Sequence, residues 1–371
     1  MRILHTNFLH GWGGQSNRIL TVCRGLVERG HAVTIAAPDA GELVRRAREA
    51  GLATDGSMRF RRGLRPVSLL RDVLRMRRLL AGGAFDVIHT HGSQDSWIVA
   101  LADLRRRVPV VRTKHNVFPI RDHFGNRWLY GRVFDRIICI SQAIVEQCAQ
   151  KPYIDRERLA LIHSAADLDR FAAPDPAGVS AWREQWGAHR PVLAMVGRLR
   201  EEKGHRVLFE AVARLRGDYP RILLAVAGDG SLREDLQTRV TALGMADCVR
   251  FLGFRTDVPE LLAAADLFAL PSLSEGLGTA VIEAAAAAKP TVATFTGGIP
   301  DIIRDGETGR LVEPGNVDAL TRALADVLAD PAAAQCMGKA AQRFVREHFT
   351  TAALVEKTEA VYVEMLRRAR G

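Results

Sequence analysis

Several things are missing from this 371-residue chain, and each absence removes a class of protein. No apolar run approaches the roughly 18–20 residues that span a bilayer, so no membrane-crossing helix is expected. The amino end, Met1-Arg2-Ile3-Leu4-His5-Thr6-Asn7, has no apolar stretch leading to a small-residue cleavage site, and it reads as a strand. Cysteine is sparse. Cys23, Cys139, Cys148, Cys248 and Cys336 are scattered, odd in number and without a Cys-x-x-Cys pair. That excludes a disulfide framework and argues against structural zinc, so a reduced cytoplasmic protein is expected. Aromatic residues are only 6% of the chain and do not interleave with its arginine-rich stretches, which makes nucleic acid the weaker partner. No Gly-x4-Gly-Lys-Ser/Thr loop occurs. The loop His10-Gly11-Trp12-Gly13-Gly14-Gln15-Ser16 has glycines that allow close backbone approach. It has Ser16 where a dinucleotide fingerprint needs glycine or alanine, which disfavours a nicotinamide enzyme.

What is present is a soluble-type composition, 47% apolar and 25% charged, with an uneven charge. Residues 1–170 hold 28 Lys+Arg against 16 Asp+Glu, net +12. The remainder holds 24 against 26, net −2. A basic first half points to an acidic partner: nucleic acid, an anionic membrane surface or a phosphorylated acceptor. The plain alternative is arginine that merely solvates the surface. The stretch Arg59 to Arg65 and residues 67–80 carry most of this charge. In 67–80, Leu69, Leu70, Val73, Leu74, Met76, Leu79 and Leu80 mix with Arg71, Arg75, Arg77 and Arg78. This is an amphipathic helix with a cationic face, suited to an anionic membrane or to ordinary packing on a sheet.

Apolar strand-like runs alternate with helical stretches along the whole chain. Strands are expected near 2–6, 32–37, 85–89, 108–112 and 136–140, then near 191–197, 221–227, 248–252, 266–270, 291–294 and 309–313. Helices are expected near 14–29, 66–81, 203–216, 230–243, 256–264, 278–288 and 316–328. Alternation of continuous apolar strands with helices gives parallel sheets covered on both faces. The length suggests two domains. Residues 171–180, Phe-Ala-Ala-Pro-Asp-Pro-Ala-Gly-Val-Ser, read as a linker, so the boundaries are 1–170 and 171–350, with a final helix over 351–371. The expected class is α/β, two doubly wound domains with a cleft between them.

The richest segment is Ser272-Leu273-Ser274-Glu275-Gly276-Leu277-Gly278-Thr279-Ala280-Val281-Ile282-Glu283. Glu275 precedes a glycine loop and Glu283 lies in the second turn of the helix that follows. Loop amides at a helix start hold phosphate, and carboxylates accept from hydroxyls. Gly197-Arg198-Leu199-Arg200-Glu201-Glu202-Lys203-Gly204 also runs from strand to helix. An arginine fork and a lysine point charge together suit a diphosphate; the alternative is an exposed charged turn. Gly228-Asp229-Gly230-Ser231 and Phe254-Arg255-Thr256-Asp257 stand at the next strand ends, as turns or as ligand borders. His91 and His115 each follow a strand of the first half, where side chains project toward a ligand. A lone histidine is more often structural, but two at equivalent strand ends point to a functional role for at least one, and His89 is expected to be packed. Asp167-Leu168-Asp169 is a chance-level pair without histidine or cysteine support, so no metal is expected.

As a set these residues resemble the family 4 retaining glycosyltransferases, with their GT-B fold of two Rossmann-like domains. The resemblance rests on the Glu275-x7-Glu283 signature, Gly30-His31-Ala32-Val33, Val196-Gly197-Arg198 to Lys203-Gly204, Ala227-Gly228-Asp229-Gly230 and Phe251-Leu252-Gly253-Phe254. It covers nearly the whole chain. The chain departs from the family pattern at Thr279-Ala280 and at His163-Ser164-Ala165-Ala166-Asp167.

The resemblance implies that Arg198 and Lys203 bind the diphosphate of a nucleoside diphosphate sugar, such as a UDP-sugar, and that Glu283 holds the ribose. It implies that Glu275 stands at the donor sugar, the amides of Gly278 and Thr279 at the distal phosphate, and Gly13 and Gly14 along the cleft. Gly228 and Phe254 border the donor. His115, with His91 beside it, stands as a catalytic group. No cofactor or metal is implied. The final helix would cross back to the first domain. The expectation is therefore a hexosyltransferase acting on a phosphorylated or lipid-linked acceptor in cell-envelope synthesis, lipopolysaccharide included, at the inner face of the cytoplasmic membrane. The alternatives are a GT-B enzyme making a soluble glycoside or sugar phosphate, and a non-catalytic nucleic-acid-binding protein.

Overall fold

A computed structural model describes residues 1–60, 66–187 and 191–370. The chain divides into two compact units, 1–165 with 351–371, and 166–350. In the first unit the strands are β1 (Arg2–Thr6), β2 (Ala32–Ala36), β3 (Ala53–Asp55), β4 (Val87–Thr90), β5 (Val110–Lys114), β6 (Arg136–Cys139) and β7 (Leu159–Leu161). They form one parallel sheet in the order β3-β2-β1-β4-β5-β6-β7. In the second the strands are β8 (Val192–Val196), β9 (Leu223–Ala227), β10 (Val249–Gly253), β11 (Leu267–Leu270), β12 (Thr291–Thr294) and β13 (Arg310–Val312), ordered β10-β9-β8-β11-β12-β13.

Both orders begin at the middle, run outward one way and then restart on the other side. The point of reversal lies between β1 and β4 in one unit and between β8 and β11 in the other. In such sheets it opens a crevice at the carboxyl ends of the strands. The central strands are apolar throughout because helices cover both faces: Leu193, Ala194 and Met195 of β8 and Leu224 to Val226 of β9 are fully buried.

Local chemistry sets the helices. His205–Leu215 buries Leu208, Phe209, Ala211, Val212 and Leu215, the stripe of a 3.6-residue period. The segment expected to be a linker is largely helical. Phe171 is a buried residue of the short helix Leu168–Ala172, and Asp175 caps Pro176–Trp186 by accepting from the amides of Ala177 and Gly178, each at 3.2 Å. Proline at its first turn and two buried tryptophans, Trp182 and Trp186, explain why that stretch folds. Residues 166–170 therefore go with the second unit, with Leu168 and Phe171 buried. Asp167 of the Asp-x-Asp pair is a cap, accepting from the Arg170 amide.

The helix Thr351–Arg370 packs on Gly14–Glu28 within the first unit, and Leu354, Val355, Val361, Tyr362 and Met365 enter its core. Glu359 ties it to Arg29 and His31.

The basic helix spans Pro66–Gly83. Asp72, Val73 and Met76 are buried, with Asp72 accepting from the amides of Arg59 and Phe60. Val67, Leu69, Leu70 and Leu74 are exposed instead of packed. Arg61, Arg62 and Arg65 of the neighbouring basic stretch lie outside the described residues. No helix among the described residues is long and apolar enough to cross a membrane.

Candidate functional site

In the second unit the expected residues gather at the carboxyl edge of the sheet, around the point of reversal. The loop after β8 carries Arg198 and Lys203; the loop after β11 carries Glu275. An ion pair between Lys203 Nζ and Glu275 Oε1 joins the two loops, and Ser272 Oγ donates to the same oxygen at 3.1 Å. The backbones are joined as well, since the amide of Leu273 donates to the Glu202 carbonyl at 2.8 Å. Arg198 is exposed and has no ion-pair partner among the described residues. It is a cation facing solvent beside a neutralised pair.

Gly278 caps the helix Thr279–Ala286 in the left-handed region, φ 95°. Glu283 lies in the second turn of that helix, and its carboxyl makes no hydrogen bond or ion pair among the described residues. Burial pushes its carboxyl up to about 7, against the pull of Arg170 and Lys203. Arg170 was not expected here. It arrives because Leu168–Ala172 packs on Thr279–Ala286, and nothing in its local sequence marks it. Gly297 explains the shape of the Glu275 loop. Its φ is +55°, and a Cβ there would stand 1.7 Å from the Glu275 carbonyl oxygen. Gly228 is glycine for the same kind of reason, with a Cβ position 1.8 Å from the Gly197 carbonyl oxygen. Backbone crossing accounts for it without a ligand. Phe254, at the end of β10, is 63% exposed.

The first unit fills the equivalent edge differently. His5 of β1 stands opposite His89 of β4, and His91 follows that strand. His5 Nδ1 lies 3.1 Å from His91 Nε2, and His91 Nδ1 lies 2.9 Å from His115 Nε2. His89 meets Tyr362 at 2.5 Å and Thr113 at 2.6 Å, and Tyr362 reaches His5 Nε2 at 3.3 Å. His91 does not present a reactive edge: it is buried and both ring nitrogens are engaged. His115 alone of the four is partly exposed, with Nδ1 unengaged among the described residues. Burial, with the positive Arg18 and Arg112 nearby, drives the titration of His89 and His115 well below the ordinary range.

Nitrogens of His5, His89 and His91 lie within 4.8 Å of one another, close enough for a shared cation. Each neutral ring has a single lone pair, and the hydrogen-bonded contacts occupy these atoms, so the cluster fits a polar chain better than a metal site. Gly13 has an ordinary extended backbone, φ 172°, and open space where a Cβ would stand; Gly14 begins the first helix.

Beside this edge lies a cavity of about 340 Å³ lined by Arg112, Lys114, Arg121, Asn126 and Tyr130, with no carboxylate in its wall. Arg112 is buried, and its Nη1 has no hydrogen-bond partner. Lys114 Nζ is held by the carbonyls of Asn116 and Phe118 at 2.6 and 2.8 Å. A larger cavity of about 600 Å³ lies at the amino ends of β1 and β2, lined by Arg2, Ala32 and Phe85, away from these groups.

Known proteins resemble this chain in sequence and fold. The model of "Glycosyltransferase Family 4" matches residues 12–170, and that of "Glycosyl transferases group 1" matches residues 179–344. A D-inositol 3-phosphate glycosyltransferase of Mycobacterium marinum is 31% identical over 321 residues, 81% of this chain and 67% of that protein. A GDP-mannose-dependent alpha-(1-6)-phosphatidylinositol monomannoside mannosyltransferase of Mycolicibacterium smegmatis is 39% identical over 193 residues, 49% of this chain. That match spans only 50% of the mannosyltransferase. Anabaena HepE, solved with UDP and glucose, superposes with a TM-score of 0.86 at 23% identity, covering 97% of this chain and 98% of that one. The chain has the GT-B fold and belongs to glycosyltransferase family 4.

Proposed function

We propose that this glycosyltransferase takes a hexose from a nucleoside diphosphate sugar and transfers it, with retention and without a metal, to the hydroxyl of a phosphorylated or lipid-linked acceptor of the cell envelope. The observation that carries the donor half is the convergence of Arg198, the Lys203–Glu275 pair and Glu283 on one sheet edge. Arg198 and the two ammonium protons of Lys203 not facing Glu275 take the charge of the diphosphate. The amides of Gly278 and Thr279 take its distal oxygens, at a helix start that favours anions. Glu283 receives the ribose hydroxyls, and Phe254 borders the base.

In the transfer step the bond from the anomeric carbon to the phosphate oxygen breaks. The acceptor oxygen bonds to that carbon on the same face, and the acceptor proton passes to the departing phosphate. Glu275, fixed by Lys203 and Ser272, positions the sugar. The fixed positive groups stabilise the leaving diphosphate, which is the service a metal would otherwise give. A relative whose name includes GDP-mannose, and HepE, solved with UDP and glucose, support a nucleotide-sugar donor.

The acceptor half rests on the first unit. Its Arg112 cavity has cations without an ion-pair partner among the described residues and no carboxylate in its wall, which suits a phosphate ester. Exposed Val67, Leu70 and Leu74 beside Arg71 suit the surface of an anionic membrane. Two of the relatives carry inositol phosphate or phosphatidylinositol in their names.

Thermal-shift titration with UDP, GDP, ADP and their sugars tests the donor half, since a bound donor raises the melting temperature. One base family stabilises the chain if the reading holds, and EDTA leaves that shift unchanged. No shift with any of them, and no release of nucleoside diphosphate, would refute it.

A further inference from the structure

The hydrogen-bonded chain in the first unit has a direction, and its direction decides what His115 offers to a ligand. From the buried end outward it runs Thr113 Oγ1, His89, the Tyr362 hydroxyl, His5, His91 and His115, with contacts of 2.6, 2.5, 3.3, 3.1 and 2.9 Å. A neutral imidazole has one N–H and one lone pair, so once one link is set the next is forced.

Charge does not enter the chain. Arg18, Arg112 and Lys114 act on it from around, and an imidazolium among them is disfavoured. The buried carboxylate of Asp95 accepts from Thr6 Oγ1 at 2.7 Å and from the His91 amide at 2.8 Å, not from a ring.

The buried end sets the direction. Thr113 is fully buried, and His89 Nε2 is the one hydrogen-bond partner of its hydroxyl among the described residues. If His89 donated to Thr113, the threonine hydrogen would be buried without an acceptor, the costly arrangement for a buried donor. If Thr113 donates, no hydrogen inside the chain is left over. His89 then has its proton on Nδ1 and gives it to the Tyr362 oxygen. Tyr362 gives its own to His5 Nε2, His5 Nδ1–H goes to His91 Nε2, and His91 Nδ1–H goes to His115 Nε2.

We propose that Thr113 and Tyr362 are positioning residues that hold His115 as its Nδ1–H tautomer, so that its exposed nitrogen is a hydrogen-bond donor and not a base. Tyr362 belongs to the last helix of the chain, Thr351–Arg370, which thereby acquires a role beyond packing. The partner of the His115 N–H is an oxygen acceptor, a sugar hydroxyl or a phosphate oxygen. That identification rests on the proposed sugar transfer, whereas the tautomer does not.

The test is long-range proton–nitrogen NMR on the full chain labelled with 15N-histidine, without substrate, with His115 assigned by its loss in His115→Asn. His5, His89, His91 and His115 should all show a protonated Nδ1 and a bare Nε2. A protonated Nε2 on His115 overturns the proposal, whatever the enzyme does with sugars. Tyr362→Phe removes the hydrogen that fills His5 Nε2, so the two nitrogen shifts of His115 should draw together. Thr113→Ser, which keeps the donor, should leave them in place. His115 shifts unchanged in a folded Tyr362→Phe would show that the chain does not set the tautomer.

Discussion

The two units share a strand order and a point of reversal yet fill it with opposite chemistry. Around β1 and β4 the edge is an uncharged, hydrogen-bonded chain that exposes one histidine nitrogen. Around β8 and β11 it is charged: a lysine–glutamate pair, a free arginine and a carboxyl poised near neutrality. The bulk charges diverge too, +14 over 1–165 with 351–371 against −4 over 166–350. A doubly wound sheet fixes where a ligand binds, and the residues of its loops fix which ligand.

That contrast can be broken first at its strongest point. Lys203→Ala removes a proposed diphosphate contact and takes from Glu275 its ion-pair partner. A loss of about 10²–10³ in kcat/KM is expected, by analogy with deletion of one charge-stabilising donor, measured as nucleoside diphosphate release. Removing Arg198, by Arg198→Ala, costs one charge-assisted contact, roughly 1.5–3 kcal/mol or about 10- to 150-fold in nucleotide Kd. Arg78→Ala in the basic helix should leave that Kd unchanged, and an equal loss there would dissolve the distinction between the units.

Stability sharpens it further. The Glu283 carboxyl titrates near 7 in place of 4.5, so the folded state holds its proton more tightly than the unfolded one. Stability should therefore fall as pH rises from about 4.5 to about 7, by up to about 3 kcal/mol. Denaturant titrations of Glu283→Gln should lack this fall. Glycine replacements should differ by unit as well. Gly297→Ala meets the Glu275 carbonyl oxygen in left-handed backbone and should cost more than about 2 kcal/mol. Gly13→Ala meets nothing and should stay within about 0.5 kcal/mol.

Much of this was legible in the sequence, for reasons that differ by region. β8 and β9 are continuous apolar runs that each end at a glycine, so their places follow from pattern alone. β3 and β7 are three residues each, too short for a period, and exist because a neighbouring strand offers an edge. Arg198, Lys203 and Glu275, the proposed donor contacts, each adjoin a glycine that marks the loop, and Glu283 follows Gly278 within one short helix. Arg112, Arg170 and Tyr362 have no such marker, and Tyr362 meets His5 across 357 positions.

By itself the sequence determined the α/β class, the two parallel sheets, the family and the strand ends that carry charge. These follow from local periodicity and from motifs whose members are neighbours in the chain. Tertiary structure alone decided which of the histidines faces outward, which arginine acts on Glu283, and what the last helix does for His115. Those outcomes depend on burial and on partners far apart in sequence, and a hydrogen bond or a desolvated charge has no local signature.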